Sequence, residues 1–260
     1  MNSRLTQIGF SQRVRLEWLE RTANLVLAGN DEASIYNALQ ELLEDKLSVG
    51  GNAKRGNREK VITILMKIWV RPPRDLHPLQ REGLKLLSHL PREDHIAVHW
   101  GMAMAVYPFW GAVAAHVGRL LRLQGTAAAS QVQRRVREQY GERGTVSRAA
   151  RRVLRSFVDW EVLKETSEKG IYTAGLSLAI AQVEVIAWLA EAFLHAHPNA
   201  SVALRTVLDS TSLFPFRLSP VSAAHLVAVS GRLDVLRHGL DQDLIMLRTE
   251  SLPAAKGGGS

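Results

Sequence analysis

Cysteine is absent from the 260 residues. That excludes disulfides, thiolate metal sites and a cysteine nucleophile, and it fits a reducing compartment. The opening MNSRLTQIGF carries no apolar run behind a basic start, so no signal peptide is expected and the reading is a cytoplasmic protein. Long uninterrupted apolar runs are also missing. The two greasiest stretches are broken by polar groups: Leu176–Leu194 contains Gln182, Glu184 and Glu191, and Ile96–Val117 contains His99, Pro108 and His116. A carboxylate near a bilayer centre costs about 3 kcal/mol, so both stretches are read as buried helices and no membrane partner is expected.

Chemical signatures are equally sparse. Gly51–Arg58 (GNAKRGNR) has the glycine spacing of a phosphate-binding loop, but Asn57 stands where the phosphate-binding lysine is needed, so no nucleotide site is assigned. His95 and His99 have the i, i+4 spacing of two helical metal ligands, beside Glu93 and Asp94. No glutamate follows His95, and ordinary partly buried histidines are the better reading. His195 and His197 at a helix end read as C-terminal charge compensation. No nucleophile elbow is present. No catalytic residue, metal or cofactor is therefore predicted. The six tryptophans (Trp18, Trp69, Trp100, Trp110, Trp160, Trp188) sit mostly at apolar helical positions and are assigned to the core.

What is present is charge, and it is concentrated. The chain carries a net +8. The window Arg119–Arg155 holds ten arginines, no lysine and two acids, Glu138 and Glu142, so it alone accounts for the whole excess. A solubility device would be spread over the surface; a local excess favours a polyanionic partner.

Periodicity and punctuation predict a mainly α, multi-helical protein. One helix runs from a Ser11 cap to about Leu27 and ends at Gly29; Asp31 opens a second. Ser48–Asn57 is a loop, Arg58–Val70 a third helix stopped by Pro72 and Pro73, and Leu79–Leu90 a fourth. Pro91 starts a long apolar helix that Pro108 breaks or kinks. After the basic window, Ser177–His197 reads as one core helix, followed by shorter elements. The organisation expected is a helical N-terminal region (1–110), a module at 111–174, a helical C-terminal region (175–248) and a flexible tail from Thr249 ending in a linker-like GGGS.

Within the module four pieces follow in order. Trp110–Leu123 is an apolar helix ended by Gly125. Thr126 or Ser130 starts a second, with Val132, Val136 and Tyr140 on one side. Gly141–Gly144 (GERG) is a tight turn, and Thr145 or Ser147 caps a third helix reaching Trp160. At about 100° per residue, Arg148, Arg151, Arg152 and Arg155 share an arc of roughly 100°. Val146, Ala149, Ala150, Val153, Leu154, Phe157 and Trp160 occupy the other side. A short hairpin then pairs Val162–Thr166 with Ile171–Thr173 around Ser167–Gly170.

Helix, turn, arginine helix, hairpin: this order resembles the winged helix-turn-helix superfamily, over about 65 residues. The resemblance implies that the third helix enters a DNA groove. Arg148, Arg151, Arg152 and Arg155 would then face the bases, and Arg134, Arg135 and Arg137 would grip phosphates. Thr145 and Ser147 at the helix start and Lys169 in the hairpin turn complete the candidate contacts. Against the pattern, the hairpin carries Glu161, Glu165 and Glu168, so the binding is assigned to the helix rather than to the wing. The expected function is non-enzymatic binding of duplex DNA, with RNA left open, as a regulator or as the DNA-gripping subunit of a larger bacterial assembly. The large helical flanks argue for a homodimer or protein complex. The alternative is a scaffold that docks an acidic protein.

Overall fold

The computed structural model describes residues 3–47, 56–199, 201–238 and 242–248. Residues 48–55 of the predicted loop, with most of the phosphate-loop-like stretch, and the tail from Thr249 lie outside the described residues.

Helix α1 (Leu16–Leu27) begins later than its sequence suggests. The segment before it runs extended, because both backbone groups of Val14 are committed elsewhere: its N–H donates to Ser156 Oγ at 2.9 Å and its carbonyl accepts from Trp160 Nε1 at 3.0 Å. Ser11 therefore caps nothing, and a long-range contact overrides the local signal. Helix α2 (Glu32–Leu42) opens on Asp31, whose carboxylate accepts from the Ser34 N–H at 2.7 Å, as predicted. Helix α3 (Asn57–Trp69) stops before Pro72, and α4 (His77–His89) takes Pro78 into its first turn, where a missing N–H costs nothing.

Helix α5 (His95–Val106) has all twelve residues buried, as befits a helix that is apolar all round. Pro108 ends its run and opens α6 (Pro108–Gln124), so that the chain bends by 118° between the two. Among the described residues no single helix is long and apolar enough to cross a membrane. Helix α5 packs against α1, α3, α4, α6 and α9 (Val183–Ala196). All six tryptophans are buried, and one continuous hydrophobic cluster joins residues from Phe10 to Ile245.

Two helices and two strands build the basic region: α7 (Ala129–Tyr140), α8 (Gly144–Asp159), β2 (Leu163–Glu165) and β3 (Ile171–Ala174), preceded by a short strand β1 (Thr126–Ala128). Beyond it the expectation of an all-helical C-terminal region with a single hairpin in the chain is corrected. Strand β4 (Leu178–Ile180) occupies the start of the predicted 177–197 helix and runs parallel to β6 (Phe216–Leu218). Strand β5 (Ser201–Ala203) pairs with β8 (Gln242–Leu247), which pairs with β7 (Leu233–His238), giving the order β5-β8-β7. Helices α10 (Leu204–Leu208) and α11 (Ala223–Val229) lie between these strands. Over three to six residues an apolar run has no period that separates strand from helix, and the partners of β4 and β5 lie about 40 residues along the chain.

Candidate nucleic-acid interface

The site is built on a strand-bounded pair of helices. Gly125, at φ +74°, ends α6 and turns the chain into β1, which pairs antiparallel with β3 (Ala127 opposite Tyr172). Neither Thr126 nor Ser130 caps α7; its first amide, Ala129 N–H, donates instead to the Gly170 carbonyl at 2.8 Å. Val132, Val136 and Tyr140 are buried as expected. Gly141 then takes φ +99°, a conformation that favours glycine. Extended Arg143 precedes α8, so Thr145 and Ser147 lie inside the first turn and do not cap it. Thr145 is exposed and Ser147 half-buried.

The inner face of α8 is locked. Val146, Ala149, Ala150, Val153, Leu154 and Phe157 are buried. The Phe157 ring stacks on Trp100 with centroids 4.8 Å apart and meets Trp110 edge-on at 4.7 Å. At the last turn Asp159 pairs with Arg13 through two hydrogen bonds, beside the Val14–Ser156 link. Packing and polar contacts together fix which side of the helix faces out.

That outer side carries Arg148, Arg151, Arg152 and Arg155, all exposed, as the helical angle requires. Their surroundings differ. Arg155 Nη1 lies 2.5 Å from Glu165 Oε1 on β2. It also stands beside the Tyr172 hydroxyl, whose pKa burial raises while Arg155 holds it back. Among the described residues, Arg148, Arg151 and Arg152 have no carboxylate within ion-pair distance. The arginines expected to grip phosphates on α7 are not bare: Arg135 meets Glu138 at 3.0 Å, Arg134 reaches the same carboxylate at 3.9 Å, and Arg137 meets Glu142 at 3.0 Å. The two acids of the basic window thus fall where they offset much of the charge on α7, and neither reaches α8.

Lys169 is exposed in the hairpin turn, where Gly170 has φ +81°. It faces Arg137, Ser130 and Gln133 across a cleft of about 420 Å³. Sequence reasoning passed over Arg143. Its Nε lies 3.6 Å from where a Cβ on Gly141 would stand, and Arg148 Nη1 lies 3.8 Å from the same point on Gly144, so both guanidinium groups fold back over the turn. The only sequence signal for Arg143 is its place between the glycines of GERG.

His95 and His99 are tied to the core by hydrogen bonds. The Trp69 indole N–H donates to His99 Nδ1 at 3.1 Å, which puts the His99 proton on Nε2, 2.8 Å from Glu20. His95 Nδ1 meets the same carboxylate at 3.0 Å. The hydrogen bond from His99 is the main cause that holds Glu20 down at a pKa of about 2. Among the described residues no group of three or more acids and histidines is arranged to hold a metal ion. His195 does not compensate a helix dipole: burial lowers its pKa to about 4, so it is neutral at pH 7. No family model, no curated protein and no solved structure matches the chain.

Proposed function

We propose that the chain is a non-enzymatic nucleic-acid-binding protein that grips duplex DNA through α8 of a winged helix-turn-helix unit. The observation that carries this reading is the row Arg148, Arg151 and Arg152: exposed, free of carboxylate partners among the described residues, and held on a helix whose opposite face is buried. Support for the winged-helix assignment comes from element order. Helix, strand, helix, turn, helix and two strands follow one another, and the first strand joins the last in a three-stranded sheet of order β1-β3-β2. A guanidinium fork suits both phosphate and the guanine edge. The ion pairs of α7 are surface contacts, weak enough for a phosphate oxygen to displace.

The test is a fluorescence anisotropy titration with duplex DNA, single-stranded DNA and RNA at two salt concentrations. With about four to six phosphates neutralised, log K against log salt should fall with a slope of roughly −4 to −5. Duplex DNA should bind most tightly. Absence of binding to all three probes at low salt would refute the reading.

A second reading, docking of an acidic protein partner, draws on the hairpin. Glu161, Glu165 and Glu168 are exposed there and repel a phosphate backbone. A salt-sensitive protein complex, formed by a chain that shifts no nucleic-acid probe, would favour it.

A further inference from the structure

A cavity of about 650 Å³ opens between α6, the last turn of α7, the end of α9 and the segment after α10. Much of its wall is apolar, with Met104, Pro108, Ala112 and Phe193 among the lining residues. Among the described residues no lysine or arginine lines it, and its one carboxylate, Asp209, is turned to Arg205 at 3.4 Å.

Its polar groups are few and underused. Tyr140 lines the cavity and is only 8% exposed, yet its hydroxyl has no hydrogen-bond partner among the described residues. Burial pushes its pKa up to about 12, so the phenol keeps its proton and can donate. The His197 ring stacks on Phe193 with centroids 5.2 Å apart. Its Nδ1 accepts from the Asn199 N–H at 3.2 Å, which leaves the proton on Nε2 as a spare donor. Burial lowers the His197 pKa, which favours this neutral ring. The Ser210 and Ser212 hydroxyls bond to each other at 2.8 Å, and one of the two hydrogens remains to be donated.

We propose that this cavity binds a neutral, ring-sized organic molecule that presents a carbonyl or ring-nitrogen acceptor to Tyr140 and His197. The volume lies in the range of small-molecule sites, and an apolar wall with a few convergent polar groups is their usual make-up. Surplus donors call for an acceptor on the ligand. Absence of a cation excludes phosphate and carboxylate ligands, whose charge would be buried without a partner. The Tyr140 hydroxyl, unengaged by protein groups among the described residues, is free to donate to an acceptor that enters the cavity. The inference stands apart from the nucleic-acid reading, although the site touches the last residue of α7, directly before the turn into α8.

The probe is 6-propionyl-2-dimethylaminonaphthalene, an uncharged fluorophore with one ketone, titrated into the full chain. Saturable one-to-one binding with blue-shifted emission is expected. Tyr140→Phe, which keeps the volume and removes the donor, should weaken binding about fivefold, the worth of one neutral hydrogen bond. It should also shift the bound emission further to the blue, an effect that a purely structural change would not give. Ala112→Trp should fill the cavity and abolish binding, with near-ultraviolet circular dichroism as the check on folding. Lack of saturable binding by the folded chain would overturn the proposal. So would undiminished binding by folded Ala112→Trp, or by Tyr140→Phe in both affinity and emission.

Discussion

Helices α7 and α8 carry the same residue at similar spacing and end up with different amounts of uncompensated charge. On α7, Arg134 and Arg135 share Glu138, and Arg137 meets Glu142. On α8, among the described residues, only Arg155 finds an acid, Glu165, and that acid comes from the following strand. Counting arginines therefore overstates the free charge on one helix and describes it well on the other. What separates them is where two glutamates fall, three or four residues along the same helix or just past its end, within reach of a side-chain pair.

The contrast can be sharpened first at the level of binding. Reversing Arg151 and Arg152 together to glutamate should lower duplex affinity by about a hundredfold or more, since both groups are unpaired and adjacent. The same reversal at Arg134 and Arg135 should cost less than about tenfold. Equal losses in anisotropy titrations would erase the distinction between the helices. Neither double variant should melt differently from the parent, because all four side chains are exposed.

Next is the other face of α8. Phe157→Ala should lose about 3–5 kcal/mol of stability, because a buried aromatic ring is replaced by a cavity against Trp100 and Trp110. Urea denaturation measures this; a loss below about 1 kcal/mol would mean that the inner face does not anchor the helix.

Acid separates the core from the stripe. His195 has its pKa lowered from 6.5 to about 4, so between those values the unfolded chain takes up the proton and the native one does not. Its contribution, at most about 3 kcal/mol, is fully present above pH 6.5 and is lost as pH falls toward 4. His99, its pKa lowered chiefly by burial, acts in the same direction. Glu20 adds a loss that starts below about pH 4.5 and completes near pH 2. Arginine stays charged throughout. Calorimetry at pH 7.5 and pH 5 should show a lower Tm at pH 5, while duplex affinity of the folded chain changes little. An unchanged Tm would contradict the assignment of neutral buried histidines.

The smallest effect is Glu165→Gln. It frees Arg155 and should raise duplex affinity about threefold, with a salt slope steeper by about 1. Weaker binding would mean that the Arg155–Glu165 pair holds α8 in its working pose.

The parts of this arrangement legible in the sequence are those set by local chemistry. Pro108, Gly125, Gly141 and Gly170 mark a helix break, two helix ends and a turn, and each is found there. The 3.6-residue period sorts α8 into a buried and an exposed side without error. What was not legible depends on residues distant in sequence. Strand β1 is three residues long and exists because β3, about 45 residues later, pairs with it. The start of α1 shifts because Val14 bonds to Ser156 and Trp160. Strand β4 looks like helix until Phe216–Leu218 lies beside it. The loss of Arg155 from the free stripe needs the register of β2, which no spacing in the sequence supplies.

The central claim is that unpaired arginines on α8 meet phosphates. Its most direct test is the salt dependence of duplex binding for the parent and for Arg151→Gln/Arg152→Gln. Removing two phosphate contacts should flatten the slope of log K against log salt by about 2, with the melting curve unchanged. A slope that stays the same in the double variant would place the contact elsewhere on the molecule and contradict the account.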